Sequence, residues 1–149
     1  MEAEIYPESR VDKLVGENFN PVRLHVKTHP EAMERFGANW TPTVVLLDSN
    51  GVERHRIEGF LPADDFLAQL HLGLGHIAFA NKRFDEAEQH FRKIVDTLPE
   101  SDAAPEAQYW TGVSRYKGSG DASALKATAD AFQSRYSDSA WAKKASIWA

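Results

Sequence analysis

Six histidines (His25, His29, His55, His71, His76 and His90), the neighbouring Asp64 and Asp65, and a dense aromatic set in the second half are the side chains from which chemistry could be built. None of them falls into a catalytic or metal-ligating pattern. His25 and His29 straddle the end of an alternating run. His71 and His76 are five apart, off the i, i+4 spacing that sets two ligands on one helix face. Asp64 and Asp65 follow Pro62 at a helix start, where adjacent side chains diverge and carboxylates complement the positive end of the helix dipole. A His-Glu-x-x-His motif, a nucleophile elbow, a phosphate-cradling loop and a dinucleotide-binding glycine pattern are all absent. Gly73-x-Gly75 lies inside a helical pattern and marks close packing. Cysteine is also absent, which removes disulfides, thiolate metal ligands and thiol nucleophiles from this chain. We therefore expect no catalytic residue, no metal and no cofactor.

Bulk properties narrow the partners. At 149 residues with a net charge of −5, and with its basic residues scattered, the chain does not carry the basic surface that nucleic acid needs. No run approaches the roughly 20 apolar residues of a membrane helix. Met1-Glu2-Ala3-Glu4 is acidic and shows no signal or transit peptide, so the expected location is cytoplasmic.

The elements come in a clear order. Met1 to Tyr6 is helix-compatible and Pro7-Glu8-Ser9 interrupts it. Ser9 is the expected N-cap of a helix Arg10–Glu17, with Val11, Leu14 and Val15 on one face. Asn18-Phe19-Asn20-Pro21 breaks the chain, and Val22–Val26 alternates as a strand. His29-Pro30-Glu31 opens a helix to Phe36, which Gly37 ends. Thr43–Leu47 is a short aliphatic strand and Val52–Ile57 a more polar one, with Asn50-Gly51 as the turn between them. Pro42 suits the start of the first strand because it has no N–H to donate. A helix follows from Pro62, with Phe66, Leu67 and Leu70 on its apolar face.

Trp40-Thr41-Pro42-Thr43, the strand, the Asn-Gly turn, the second strand and Gly59-Phe60 together resemble the second half of the thioredoxin fold. The order Met1-Glu2-x-x-x-Tyr6-Pro7-x-x-Arg10-Val11, second helix, then Pro21-Val22-Arg23-Leu24, resembles thioredoxin-like chains as well. The resemblance implies a cis Thr41–Pro42 peptide in a loop that faces a redox dithiol. It also implies a strand and a Trp-Cys-x-x-Cys motif just before the segment that begins at Met1, and these do not exist here. In the family the missing strand is the central one. Without it, Val22–Val26 and Thr43–Leu47 either pair directly or leave edges that invite another chain. Two explanations stand: Met1 is an internal methionine of a longer oxidoreductase, or the short form has lost both chemistry and strand.

From Leu72 onward the pattern is purely helical. Leu74-Gly75, Ala78, Phe84, Ala87, Phe91, Ile94 and Pro99 fall at spacings that resemble a tetratricopeptide repeat. Gly75 and Ala87 let two helices approach, Phe91 and Ile94 fill the seam, and Pro99 stops the second helix. Tyr109-Trp110-x-Gly112, Tyr116, a turn at Gly118–Asp121, then Leu125, Ala129, Phe132 and Tyr136 form a weaker second copy. Ser137-Asp138-Ser139 caps a final helix from Ala140 to Trp148.

The expected fold is therefore α+β: a truncated thioredoxin-like unit over residues 1–71, with a β-hairpin after a cis-proline, then an all-α tetratricopeptide-like helical array over 72–149. The expected function is a redox-inactive protein- or peptide-interaction module, with Trp40, Thr41, Pro42, Tyr109 and Trp110 as binding residues. The alternative is the C-terminal portion of a thiol–disulfide oxidoreductase whose Cys-x-x-Cys lies upstream of Met1. Expected partners are a protein or peptide and a second copy of the chain, with no nucleic acid and no membrane.

Overall fold

The first described helix starts from a carboxylate cap. In the computed structural model, which describes residues 4–149, Glu8 accepts the N–H groups of Arg10 and Val11 at 3.1 Å each. Glu8 also takes the Arg10 Nε at 2.8 Å, and that guanidinium holds the Glu8 carboxyl below its ordinary range. Ser9, expected as the cap, is instead the first residue of helix α1, Ser9–Asn18. The carboxylate gathers two orphan N–H groups and a cation, which the shorter hydroxyl cannot match. Residues 4–7 form turns, whereas residues 1–3 of the helix-compatible opening lie outside the described part.

The expected strand Val22–Val26 does not form. Residues 19–25 run without regular structure, and Val22 and Leu24 are 79% and 43% exposed. The sheet is correspondingly smaller than a third strand would have made it: β1, Thr43–Leu47, pairs antiparallel with β2, Glu53–Glu58, and no other described strand joins them. The reason is that alternation makes a strand only where a neighbour supplies the ladder, and among the described residues none does.

Helix α2, Pro30–Phe36, begins on its proline and ends at Gly37, whose φ of 60° is the left-handed value that glycine takes without strain. The Arg56 guanidinium donates to the carbonyls of Phe36 and Gly37, tying β2 to the electronegative end of α2. At the hairpin turn, Asp48 Oδ1 accepts the N–H groups of Asn50 and Val52 while Oδ2 accepts Arg54 Nε at 2.9 Å. The Val52 bond is the largest of the influences that hold the Asp48 carboxyl below its usual range. Ile5, Val11, Leu46, Ile57, Phe66 and Leu67 are the buried apolar residues of this part.

Compactness divides the chain between Leu67 and Ala68, inside helix α3, Ala63–Ala80, which is continuous through the division. The second unit continues with α4 (Phe84–Thr97), α5 (Ala104–Ser119), α6 (Ser123–Ser134), α7 (Ala140–Ala145) and a 3-10 turn at Ser146–Trp148. Its core joins Leu72, Ala78, Ala87, Phe91, Ile94 and Ala107. Two glycines set its close approaches. A Cβ on Gly75 would come within 2.7 Å of three atoms of the Phe91 ring, and one on Gly112 would lie 2.8 Å from the Cβ of Thr128. The Tyr136 hydroxyl donates to the Pro99 carbonyl at 2.7 Å, fastening the end of α6 to the loop after α4. No described helix is long and apolar enough to cross a membrane.

Ala87 is fully buried on α4, so Ala87→Leu must displace packed neighbours. We expect a loss of about 1–3 kcal/mol, against almost none for Gln89→Leu on the exposed side of the same helix. Urea midpoints of the two variants make the comparison, and equal midpoints would contradict this packing.

Candidate functional site

The five residues singled out from the sequence fall into two groups, one in each unit. Trp40, Thr41 and Pro42 occupy the loop that carries the chain from α2 into β1. After Gly37, the Ala38 N–H returns to the Met33 carbonyl at 2.8 Å, closing the helix and releasing the chain toward Trp40. The Thr43 hydroxyl donates to the Trp40 carbonyl at 2.7 Å, and the Thr41–Pro42 peptide is cis. Pro42 itself is held to the sheet, its carbonyl accepting the Gly59 N–H at 2.8 Å.

The backbone of this loop is thus fixed at both ends, yet its large side chain is not covered. Trp40 is 68% exposed, and Phe60, next to Gly59, is 54% exposed. An exposed aromatic therefore flanks each partner of the Pro42–Gly59 bond. Exposed rings on a fixed backbone bind without a large ordering penalty, because only two side-chain torsions need settling. Phe60 escaped the sequence reading as a site residue; its position directly after the closing glycine was the available signal.

Tyr109 and Trp110 lie next to each other on α5 and differ in role. Trp110 turns into the core of the second unit, with its ring 5.3 Å from those of His76 and Phe79 and 6.4 Å from that of Phe91. Its Nε1 is buried with no hydrogen-bond partner. Tyr109 faces the chain's C-terminal end, stacked on Trp148 at 4.9 Å and tilted against Trp141 at 5.2 Å. The Lys144 ammonium sits 3.9 Å over the Trp141 ring, a cation–π contact that orients the outer ring of this cluster.

A groove of about 160 Å³ lies between α4, α5 and α6, lined by Arg92, Asp96, Gln108, Thr111, Arg115 and Thr128 among others. The Gln108 Nε2 there is buried without a partner. Arg115 is committed to Glu88 at 2.7 Å. The sequence reading passed over this groove, since a small residue such as Gly112 signals helix contact and not an opening. Of the histidines, His71 and His90 come together with ring centres 6.0 Å apart. Among the described residues, no group of three histidine and acidic side chains is placed to hold a metal ion.

Residues 1–73 match the family model of the thioredoxin-like domain, which makes the N-terminal part of the chain a thioredoxin-like region. Comparison with curated proteins and with solved structures gives no match.

Proposed function

We propose that the chain is a non-catalytic, cytoplasmic interaction module in which a thioredoxin-like unit binds an extended protein or peptide segment. The observation that carries this reading is the loop of Trp40, Thr41 and Pro42, its backbone bonded at both ends and its indole left 68% exposed. The helix pairs α3–α4 and α5–α6 are a tetratricopeptide-like array with its turn after Ala80 and again after Ser119. Support comes from Gly75 beneath Phe91 and Gly112 beneath Thr128, the small residue of one helix meeting the bulky residue of another in both pairs. Tyr109, beside Trp141 and Trp148, is the second contact surface. A second copy of the chain is a further partner class, and nucleic acid and membrane are not.

Panning a library of extended peptides on the purified chain tests the reading. Trp40→Ala is expected to weaken the selected peptides at least tenfold, while Trp40→Phe retains most of the affinity. Selected peptides that bind Trp40→Ala as well as the native chain would contradict it.

The second reading is a thiol–disulfide oxidoreductase whose Cys-x-x-Cys is carried on a segment ahead of residue 1, and the thioredoxin-like match favours it. The 149 residues hold no thiol, and the thiolate is the nucleophile of disulfide exchange. Purified, tag-free chain is expected to reduce insulin no faster than buffer. Turnover above that background would overturn the non-catalytic assignment.

A further inference from the structure

The groove between α4, α5 and α6 belongs wholly to the second unit, and its chemistry follows from which of its polar groups are already spent. The Thr111 hydroxyl donates to the Ala107 carbonyl and the Thr128 hydroxyl to the Ala124 carbonyl, each at 2.7 Å. A hydroxyl has one hydrogen, so both threonines offer the groove only acceptor lone pairs. Gln108 is the reverse: its Nε2 is a donor, buried and without a partner. A buried donor left unmet weakens a fold unless something accepts from it.

The charged groups of the groove are also incompletely used. Arg92 and Asp96 line it from α4 at the i, i+4 spacing where opposite charges pair. They do not pair with each other. Arg92 lies 3.6 Å from Glu88 Oε1, which already accepts Arg115 Nε at 3.0 Å and its terminal nitrogen at 2.7 Å. Asp96 makes no ion pair among the described residues. The groove thus holds a loosely bound cation, a free carboxylate and an unmet amide donor. Val95, Ala127 and Ala131 add aliphatic surface. Its volume of about 160 Å³ is close to the roughly 150 Å³ that takes a molecule of benzene's size.

We propose that this groove binds a small free aliphatic α-amino acid of valine's size, as its zwitterion. The ligand carboxylate accepts from Gln108 Nε2 and pairs with Arg92, the ammonium pairs with Asp96, and the branched side chain lies on Val95, Ala127 and Ala131. Charge complementarity selects this class. The interior of a peptide carries neither terminal charge and leaves Arg92 and Asp96 unmatched, a dicarboxylate is repelled by Asp96, and a simple amine gives Gln108 no acceptor. The site is separate from the Trp40 loop and stands or falls independently of the peptide-binding reading.

The probe is L-valine, titrated into the full isotope-labelled chain at neutral pH while the Gln108 side-chain amide and the backbone amides are followed by NMR. Saturable shifts are expected at the Gln108 amide and along the facing turns of α4 and α6, with the Trp40 loop unmoved. N-acetylvaline lacks the ammonium and valinamide lacks the carboxylate. Each is expected to bind about tenfold more weakly, the loss of one charge-assisted contact. Asp96→Asn is expected to weaken valine to the level of N-acetylvaline while leaving N-acetylvaline itself unchanged. The urea midpoint of that variant, whose changed side chain is on the surface, should match the native one. Absence of saturable shifts at tens of millimolar valine would overturn the proposal. So would equal binding of valine and its two derivatives, or full valine affinity in Asp96→Asn. A library-selected peptide that moves the Gln108 amide would give the groove to a peptide and overturn it as well.

Discussion

Replacing Phe91 by alanine is expected to lower the stability of the helical unit by about 3–5 kcal/mol, the range for deleting a buried phenylalanine side chain. Phe91 has no exposed surface and sits in one core with Leu72, Ala78, Ala87 and Ile94. Its ring also lies over Gly75, where a Cβ would come within 2.7 Å of Cδ1 and Cζ. Gly75→Ala gains about 1 kcal/mol of helix propensity, but a ring packed on all sides cannot withdraw, so the net effect is a loss. The two substitutions are therefore coupled. With Phe91→Leu as background, Gly75→Ala is expected to do less harm, because the smaller side chain leaves room above the glycine. Urea denaturation of the four proteins gives the coupling as a double-mutant cycle. Additive losses would contradict the close approach of α3 and α4 at this point.

Acidification is expected to weaken the same unit through His71. The ring is buried on α3, and its Nδ1 has no hydrogen-bond partner. Burial, with smaller contributions from His90 and Lys93, lowers its pKa to about 4. His90 is lowered too, chiefly by burial, with Lys93 and Arg83 acting in the same direction and Glu86 against them. The unfolded chain takes up a proton at this histidine below about pH 6.5, whereas the folded chain does so only near pH 4. Stability is therefore complete above the unfolded value and falls as pH drops through that window. For His71 alone the loss between pH 7 and pH 5 is about 2 kcal/mol. Urea midpoints by circular dichroism at the two pH values measure it. His71→Leu is expected to flatten the dependence, and an equal slope in that variant would show that the titrating group lies elsewhere.

Local chemistry was what the sequence carried best. Asn50-Gly51 announced the hairpin because glycine takes the φ of 76° that its turn requires. Gly75, Ala87, Phe91 and Ile94 announced the helix pair because small and bulky side chains must alternate where helices cross closely. Non-local facts were legible only in part. Val22 and Leu24 alternate as a strand does, yet whether a strand forms depends on a neighbour that their own spacing cannot supply. His71 was weighed against His76 on its own helix, while its partner in space is His90 on the next one. The groove at Gln108 depends on how three helices meet, which no single helix encodes. Trp40 was singled out for its place before Pro42, but only the fold reveals its exposure and that of Phe60.

The central claim, that the thioredoxin-like unit recognises an extended segment at the Trp40 loop, is tested most directly by the Trp40 indole N–H resonance. That resonance is assigned by its loss in Trp40→Phe and followed as a library-selected peptide is added to the full chain. The indole signal is expected to shift in step with saturation, together with the backbone amides of Thr43 and Gly59. An indole signal that stays in place while the peptide saturates the chain would contradict the account.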